Sequence, residues 1–367
     1  MFTKGTLLTA VGLATAMVAG LSNPSEANEK IVFASYISEA FTSSKADIWF
    51  MDEVEKRSNG EITFERYFSG SLLGGADLYP GLKQGAADMV SGVPAAYNRA
   101  DFPLSNVTLP FITESPAAAG AAFRDLVESN ADLRKEFDNF NAVYLYSRSN
   151  PENVVWLNKP IRSIDEMQGK KIRAVLTIAD AFEILGATTV SMSASESVDA
   201  LDRGVIDGFS AIPFDASFSL GLEDISEYVS DTGRMGASML TQVAFNRTRW
   251  ESLSEEHRAL LMDVAKEASD RFATELLPAA VAESVDKLCA KVKEGKIEVI
   301  RFTDEDTKKA KEMTADKLRA KWVEWAAGKS GADAQALLDQ YIAQVAKHEA
   351  ESQYVSGLDE TQQKCGN

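Results

Sequence analysis

The chain has 367 residues, of which 45% are hydrophobic and 25% are charged, and its formal net charge at pH 7 is −17. This length exceeds what one simple hydrophobic core supports, so we expect two lobes. The negative charge excludes nucleic acid as an expected partner, because phosphate backbones attract basic surfaces, and an anionic ligand would need locally placed positive groups.

The first 27 residues have the pattern of a cleaved signal peptide. Lys4 gives a positive start, residues 7–21 form an apolar run, and residues 25–27 (SEA) supply the small-x-small pattern of a cleavage site. The apolar run is short for a membrane span, which disfavours the alternative of an N-terminal anchor helix. The sequence therefore predicts a periplasmic protein whose first mature residue is Asn28.

A strand, a helix and a second strand are predicted next. Residues 29–34 have the composition of an opening strand, and apolar residues recur at helical spacing through residues 41–57. The pair Asn59-Gly60 then provides a typical helix end. Residues 61–67 alternate apolar and charged side chains, as a strand does. This order indicates a βαβ unit and a mainly parallel sheet.

The pattern Leu-x-x-Gly-x-x-Asp occurs twice, at residues 82–88 and at residues 201–207. In each copy we expect the leucine to pack the last helical turn and the glycine to take a left-handed cap, while the aspartate opens the next strand. Each copy follows a plausible βα unit. The repetition favours two lobes that are built alike over a chance similarity.

Hydrophobic spacing and turn residues predict the remaining elements. They are helices at 117–137, 253–276, 303–325 and 333–349, and strands at 143–147, 153–157 and 239–245. The pair Asn150-Pro151 marks a turn and a crossing between lobes, and the strand at 239–245 returns to the first lobe. Pro278 is expected to end or kink the helix before it, and residues 328–331 to separate the last two helices.

Two cysteines, Cys289 and Cys365, occur in the predicted mature chain. In an oxidising compartment they could form a disulfide that pins the C-terminal tail to a preceding helix. The alternative is two unpaired thiols. The sequence leaves both open, because it does not give the distance between the two Cα atoms.

The sequence lacks the patterns of common catalytic and metal sites. The two histidines, His257 and His348, lie in charged helical stretches, where we expect solvated helix surface. No Cys or His pair has metal-ligand spacing, and neither a Gly-x-Ser-x-Gly elbow nor a Gly-x-x-x-x-Gly-Lys loop is present. We therefore predict no cofactor, no metal site and no enzymatic activity.

One stretch resembles a known family. Residues 163–173 have the sequence SIDEMQGKKIR and resemble the segment before the ligand arginine in the solute receptors of TRAP transporters, the DctP family. The similarity continues in order through residues 185–208. Residues 70–74 (GSLLG) resemble the family's loop after its second strand, and residues 245–253 also fit. The resemblance covers nearly the whole predicted mature chain.

This resemblance implies a two-lobed α/β fold like that of type II periplasmic binding proteins, with mixed, mainly parallel sheets joined by crossing strands and a long linking helix. The expected ranges are residues 28–150 and about 239–278 for lobe I, residues 151–238 and about 279–302 for lobe II, and residues 303–367 for C-terminal helices that pack on the lobes. The lobes would close on a ligand without altering it. The implied partners are a small-molecule solute and the integral membrane subunits of a TRAP transporter.

Arg173 is the residue that matches the family's ligand arginine. A guanidinium suits this role because its planar fork makes two parallel bonds to a carboxylate or sulfonate, although it could instead pair with a surface carboxylate. Ungapped counting places Asn153 where many members have a second arginine. Residues 209–214 (FSAIPF) replace the segment in which the family usually has an asparagine. A single arginine with Asn153 leaves less positive charge to compensate a carboxylate than the family's usual carboxylate clamp does.

Several other residues are candidates for the walls of the cleft, since ligands bind at strand ends and aromatic rings cover the carbon skeleton of a solute. They are Tyr36, Tyr97, Trp156, Phe209, Ser210 and Phe214. The alternative for each aromatic residue is core packing.

The leading function is a receptor for a small organic anion, namely a carboxylate. The first alternative keeps the receptor role but has a neutral, zwitterionic or sulfonate solute. A periplasmic ligand-sensing partner and an enzyme on the same scaffold are the other classes, because a fold does not fix a function.

Overall fold

The computed structural model describes residues 1–2, 28–231, 233–350 and 352–366, so the predicted signal peptide lies outside the described residues except for its first two. The strands are β1 (Glu29–Ser35), β2 (Ile62–Tyr67), β3 (Met89–Gly92), β4 (Ala142–Ser149), β5 (Asn153–Leu157), β6 (Lys171–Arg173), β7 (Thr188–Val190), β8 (Gly208–Pro213), β9 (Tyr228–Ser230), β10 (Leu240–Asn246) and β11 (Glu298–Ile300).

The helices surround these strands. They are α1 (Thr42–Arg57), α2 (Leu78–Gln84), α3 (Pro94–Tyr97), α4 (Pro116–Ser129), α5 (Ala131–Asn139), α6 (Leu176–Ile184), α7 (Ala194–Asp202), α8 (Phe214–Phe218), α9 (Leu222–Ile225), α10 (Arg247–Ser252), α11 (Glu255–Arg271), α12 (Leu277–Lys293), α13 (Asp304–Ser330), α14 (Ala334–Glu349) and α15 (Gly357–Cys365).

The strands form two sheets, and each sheet with its helices makes one lobe. Lobe I has the strand order β2-β1-β3-β10-β4, and lobe II has the order β11-β9-β5-β8-β6-β7. β1 is parallel to β2 and β3, whereas β10 is antiparallel to β3 and β4. In lobe II, β6 is parallel to β7 and β8, while β5 is antiparallel to β8 and β9. The predicted two-lobed α/β fold is confirmed, and the residue boundaries between the lobes stay a prediction.

The repeated Leu-x-x-Gly-x-x-Asp pattern has the same geometry in both lobes. Gly85 after α2 and Gly204 after α7 both have a left-handed backbone, with φ of 78° and 66°. The Asp88 carboxylate accepts the N–H of Val32 on β1 at 2.9 Å, and the Asp207 carboxylate accepts the N–H of Lys171 on β6 at 2.9 Å. Each aspartate therefore fixes the start of one strand against its parallel neighbour.

The helices differ from the sequence predictions in three places. Asn130 splits the helix predicted at 117–137, because its side chain accepts the N–H groups of Asp132 and Leu133 and caps α5. α13 continues through Gly328 and ends at Gly331, whose φ is 71°. The sequence did not predict α15, which a disulfide between Cys289 and Cys365 joins to α12. The structure thus settles the pairing that the sequence left open.

A long helical segment links the lobes. α11 packs against α1 and β4 of lobe I, whereas α12 packs against α8 and α15 of lobe II. A π-helical turn, Phe272–Leu276, joins α11 to α12 without a break. Pro278 does not end the helix, because it lies in the first turn of α12, where the missing N–H of proline costs little.

Candidate functional site

The main cavity lies between the lobes and has a volume of about 570 Å³. Lobe I contributes the segment after β1, the N-terminus of α1 and the end of α3, while lobe II contributes the end of β8, the first turn of α8 and the two residues after that helix. The crossing segments add Asn150, Met239 and Thr241. A larger groove of about 760 Å³ lies beside Cys365, but its walls come from lobe II alone, so closure of the lobes could not enclose a solute there.

Tyr36 and Tyr97, two of the residues that the sequence named as candidates, line this cavity, and their contact with a solute stays a prediction. Their rings meet edge to face with centroids 4.8 Å apart. The Tyr36 hydroxyl accepts the N–H of Val93 at 3.1 Å, and burial raises the pKa of Tyr36 because it disfavours the phenolate. Tyr97 is 54% exposed and stands at the mouth of the cavity.

Arg173 lies at the end of β6, where parallel pairing sets it beside Phe209 of β8. Its guanidinium donates to the backbone oxygen of Met192 from Nε and Nη2, both at 3.2 Å. Nη1 donates to the backbone oxygens of Ser210 and Ala211 at 2.9 and 3.2 Å, respectively. The guanidinium also lies 5.0 Å from the centre of the Phe209 ring. Since Ala211 lines the cavity, Arg173 lies directly behind its wall.

The charge of Arg173 has no neutralising partner in the described ranges. No carboxylate of residues 28–231, 233–350 or 352–366 lies within 4.0 Å of it, and the acceptors of its hydrogen bonds are neutral carbonyls. Burial lowers the pKa of Arg173 to about 10, partly offset by the nearby Tyr97, so the side chain stays charged at neutral pH. A desolvated cation beside a cavity favours an anionic ligand.

Asn153 at the start of β5 lies beside a second, smaller cavity. Its amide donates to Ser238 Oγ at 3.3 Å, and its Oδ1 is buried without a hydrogen bond from any described residue. Ser238 lines the small cavity, which shares Val93 and Met239 with the main one. The structure therefore places Asn153 close to the cleft, although its side chain does not line the main cavity.

The structure corrects the expectation for four other candidates. Trp156 is fully buried in the core of lobe II, with its ring 5.5 Å from that of Phe218. Phe214 is also fully buried and packs under α15, while Phe209 lies beneath the guanidinium of Arg173. The Ser210 hydroxyl donates to the oxygen of Val154, so only its backbone contacts Arg173. Because β5 and β8 are buried on both faces, the alternation of side chains along these strands does not indicate which of them face the cleft.

Sequence reasoning missed Asp215, which lines the main cavity from the first turn of α8. Asp215 directly follows residues 209–214, the segment that departs from the family's usual pattern. An acidic residue just after the end of a strand was the sequence signal that could have pointed to it. Among the described residues that line the main cavity, it is the one charged side chain.

The histidines do not contribute to the cleft. His257 is buried rather than solvated, because α11 packs on lobe I and brings its Nε2 to 3.3 Å from Glu61 Oε2. His348 Nε2 lies 2.8 Å from Asp125 Oδ2. Within the part of the chain that the structure describes, no group of three or more His, Cys, Asp or Glu is placed to hold a metal ion. No helix in the same part is both long and apolar enough to cross a bilayer.

Comparison with known proteins points to one group of binding proteins. Residues 33–324 match the family model described as bacterial extracellular solute-binding protein, family 7 (DctP). The 2,3-diketo-L-gulonate-binding periplasmic protein YiaO of Escherichia coli is 25% identical over 310 residues, which cover 83% of this chain and 90% of that protein.

Solved structures agree with this match. A TRAP periplasmic solute-binding protein from Desulfovibrio salexigens, in an open complex, is similar over 90% of this chain and 99% of its own, with 27% identity and a TM-score of 0.74. A TRAP solute-binding protein from Rhodoferax ferrireducens, in complex with copurified benzoate, is similar over 88% of this chain and 99% of its own, with 23% identity and a TM-score of 0.76.

Proposed function

Because this chain belongs to the DctP family of bacterial extracellular solute-binding proteins, and is thus a receptor rather than an enzyme, we propose that its solute is a small organic acid held between the lobes. The observation that carries the proposal is the buried guanidinium of Arg173, which has no described carboxylate within 4.0 Å. A carboxylate of the solute would supply the missing charge. The benzoate held by the Rhodoferax ferrireducens protein is a ligand of this class.

The walls of the cavity fit the rest of such a solute. Tyr36, Phe41 and Ile212 supply apolar surface for a carbon skeleton, and Tyr97 could cover it from the mouth. The carbonyl bonds of Arg173 hold its guanidinium in one orientation before the ligand arrives, which reduces the entropy lost on binding.

We also propose that the receptor acts in the periplasm and delivers its solute to the integral membrane subunits of a TRAP transporter. The signal pattern in residues 1–27 and the family membership support this role. Secretion of the mature chain, and solute uptake that depends on it, would test it in cells.

Isothermal titration with a panel of carboxylates tests the ligand class. Arg173→Ala should weaken binding by about 2–4 kcal/mol, roughly 30-fold or more, because a buried charge pair loses one partner. Arg173→Lys should also weaken binding, since an ammonium group cannot make the same bonds to three carbonyls. Arg203→Ala, at an exposed arginine of the same lobe, is the matched control. Equal affinity in Arg173→Ala and the control would remove Arg173 from the site.

A further inference from the structure

The main cavity contains an acidic group that a simple organic acid would leave without a cationic partner. Asp215 is 8% exposed, and its Oδ1 is buried without a hydrogen bond from any described residue. No Lys, Arg or His in the described ranges lies within 4.0 Å of its carboxylate. Burying a carboxylate without a cationic partner is costly, so a ligand group that compensates its charge would gain binding energy.

The surroundings of Asp215 stabilise its charge only in part. Burial raises the pKa of Asp215, while the hydroxyl of Thr42 and the N–H of Ala216 lower it again. Thr42 begins α1, so the carboxylate also faces the N-terminal end of a lobe I helix. Lys45 is exposed, and its charge lowers the pKa of Asp215 less than these hydrogen bonds do. The protein therefore compensates the negative charge of this carboxylate only in part.

Arg173 and Asp215 together give the cleft two opposite charges that do not neutralise each other. Arg173 lies behind the wall at Ala211, and Asp215 lines the wall four residues further along the chain. The two side chains form no ion pair within 4.0 Å. A monocarboxylate would compensate Arg173 alone, whereas a zwitterion would compensate both charges.

From this arrangement we infer that the solute is zwitterionic and that Asp215, with the hydroxyls of Thr42 and Ser219 beside it, receives the protonated nitrogen of the solute. Phe41 lines the same region, and an aromatic ring there favours a cation as well. The inference rests on the proposed receptor function and adds a second anchoring point to it. The acid group would bind on the Arg173 side and the cationic group at α8.

The experiment uses pairs of ligands that differ in the cationic nitrogen. Phenylalanine is compared with 3-phenylpropanoate, and proline with cyclopentanecarboxylate, by isothermal titration of the mature protein. The wild type should bind the ammonium member of a pair at least about 10-fold more tightly. Asp215→Asn, which keeps the shape of the side chain, should reduce this ratio to about one. Asp202→Asn, at an exposed residue of lobe II, is the control and should keep the ratio.

The outcomes separate this inference from the proposed function. A wild-type receptor that binds the acids without preferring the ammonium member overturns the zwitterion inference and leaves the receptor for organic acids standing. An equal loss for both members in Asp215→Asn also overturns it, since the carboxylate would then act only on lobe closure through α1. Failure of every acid to bind rejects the proposed function itself. Unfolding curves of the ligand-free variants show whether each one is folded.

Discussion

At the scale of single residues, Gly357 shows how close the C-terminal helix lies to lobe II. It is the first residue of α15, and a Cβ added there would be 2.2 Å from Cε1 of Phe214. Phe214 is fully buried, so its ring does not reach solvent. The absence of a side chain at Gly357 therefore allows α15 to lie directly on the phenylalanine.

Gly357→Ala should destabilise the protein by about 1–3 kcal/mol, the usual cost of overpacking a core. Gly328→Ala is the matched control, because nothing lies within 4 Å of the added Cβ and the site is inside α13. The control should gain roughly 0.5–1 kcal/mol from the higher helix propensity of alanine. Urea unfolding measures both free energies. A similar effect in both variants would show that the contact with Phe214 is not tight.

Sequence reasoning named some of the residues that line the main cavity and missed others for a physical reason. Tyr36 directly follows β1, and Tyr97 ends the short helix that comes after β3; open α/β sheets turn such strand ends towards a cleft. Trp156 and Phe214 belong to segments that are buried on every side, where apolar residues carry no directional signal. Asp215 was missed because a single sequence does not show whether an aspartate is buried.

At the scale of elements, the repeated pattern was predictable because its geometry is local, and α15 was not because its position depends on distant contacts. Residues 357–365 (GLDETQQKC) are mostly polar and have no strong apolar face. The N–H of Gly357 donates to Glu152 at 2.7 Å, and the Tyr354 hydroxyl donates to the same carboxylate. Asp359 pairs with Arg234 at 2.7 Å and also with Arg301. These contacts come from three separate parts of the chain.

The burial of Glu152, whose carboxylate accepts hydrogen bonds from the C-terminal segment, makes stability depend on pH. Burial raises the pKa of Glu152 from 4.5 to about 7, so the native state keeps a proton that the unfolded chain releases. The stability contributed by this group is therefore present at low pH and falls as the pH rises from about 4.5 to about 7. The full effect of one such group is on the order of 3 kcal/mol.

Glu152→Gln cannot ionise, so the free energy of unfolding of the wild type relative to this variant should fall across that pH window. Chemical unfolding at several pH values between 4 and 8 measures the difference. Glu128→Gln, which removes an exposed carboxylate, is the control and should run parallel to the wild type. Parallel curves for Glu152→Gln would contradict the raised pKa.

At the scale of the whole molecule, the chain after α13 forms an additional connection between the lobes. α14 packs against α4 of lobe I, and α15 packs against α12 of lobe II. The intervening segment passes Glu152, close to the point where the chain first crosses between the sheets. The disulfide between Cys289 and Cys365 fastens the far end of this segment to lobe II.

Removal of the disulfide should lower the free energy of unfolding by about 4 kcal/mol, because its cysteines are 76 residues apart and the bridge restricts a long loop of the unfolded chain. Replacing both cysteines with alanine tests this by urea unfolding. The wild type should lose the same stability when a reductant is added, whereas the double variant should not respond to the reductant. Unchanged stability in the double variant would contradict the expected contribution.

The placement of β1 and α15 on different lobes has a practical consequence. A donor fluorophore beside Glu29 would move with the sheet of lobe I, and an acceptor beside Lys364 would move with α12. Closure on a solute would change the distance between the two dyes and thus the efficiency of energy transfer. These two positions therefore suit a ratiometric fluorescence sensor, in which the ratio of acceptor to donor emission reports the concentration of the solute.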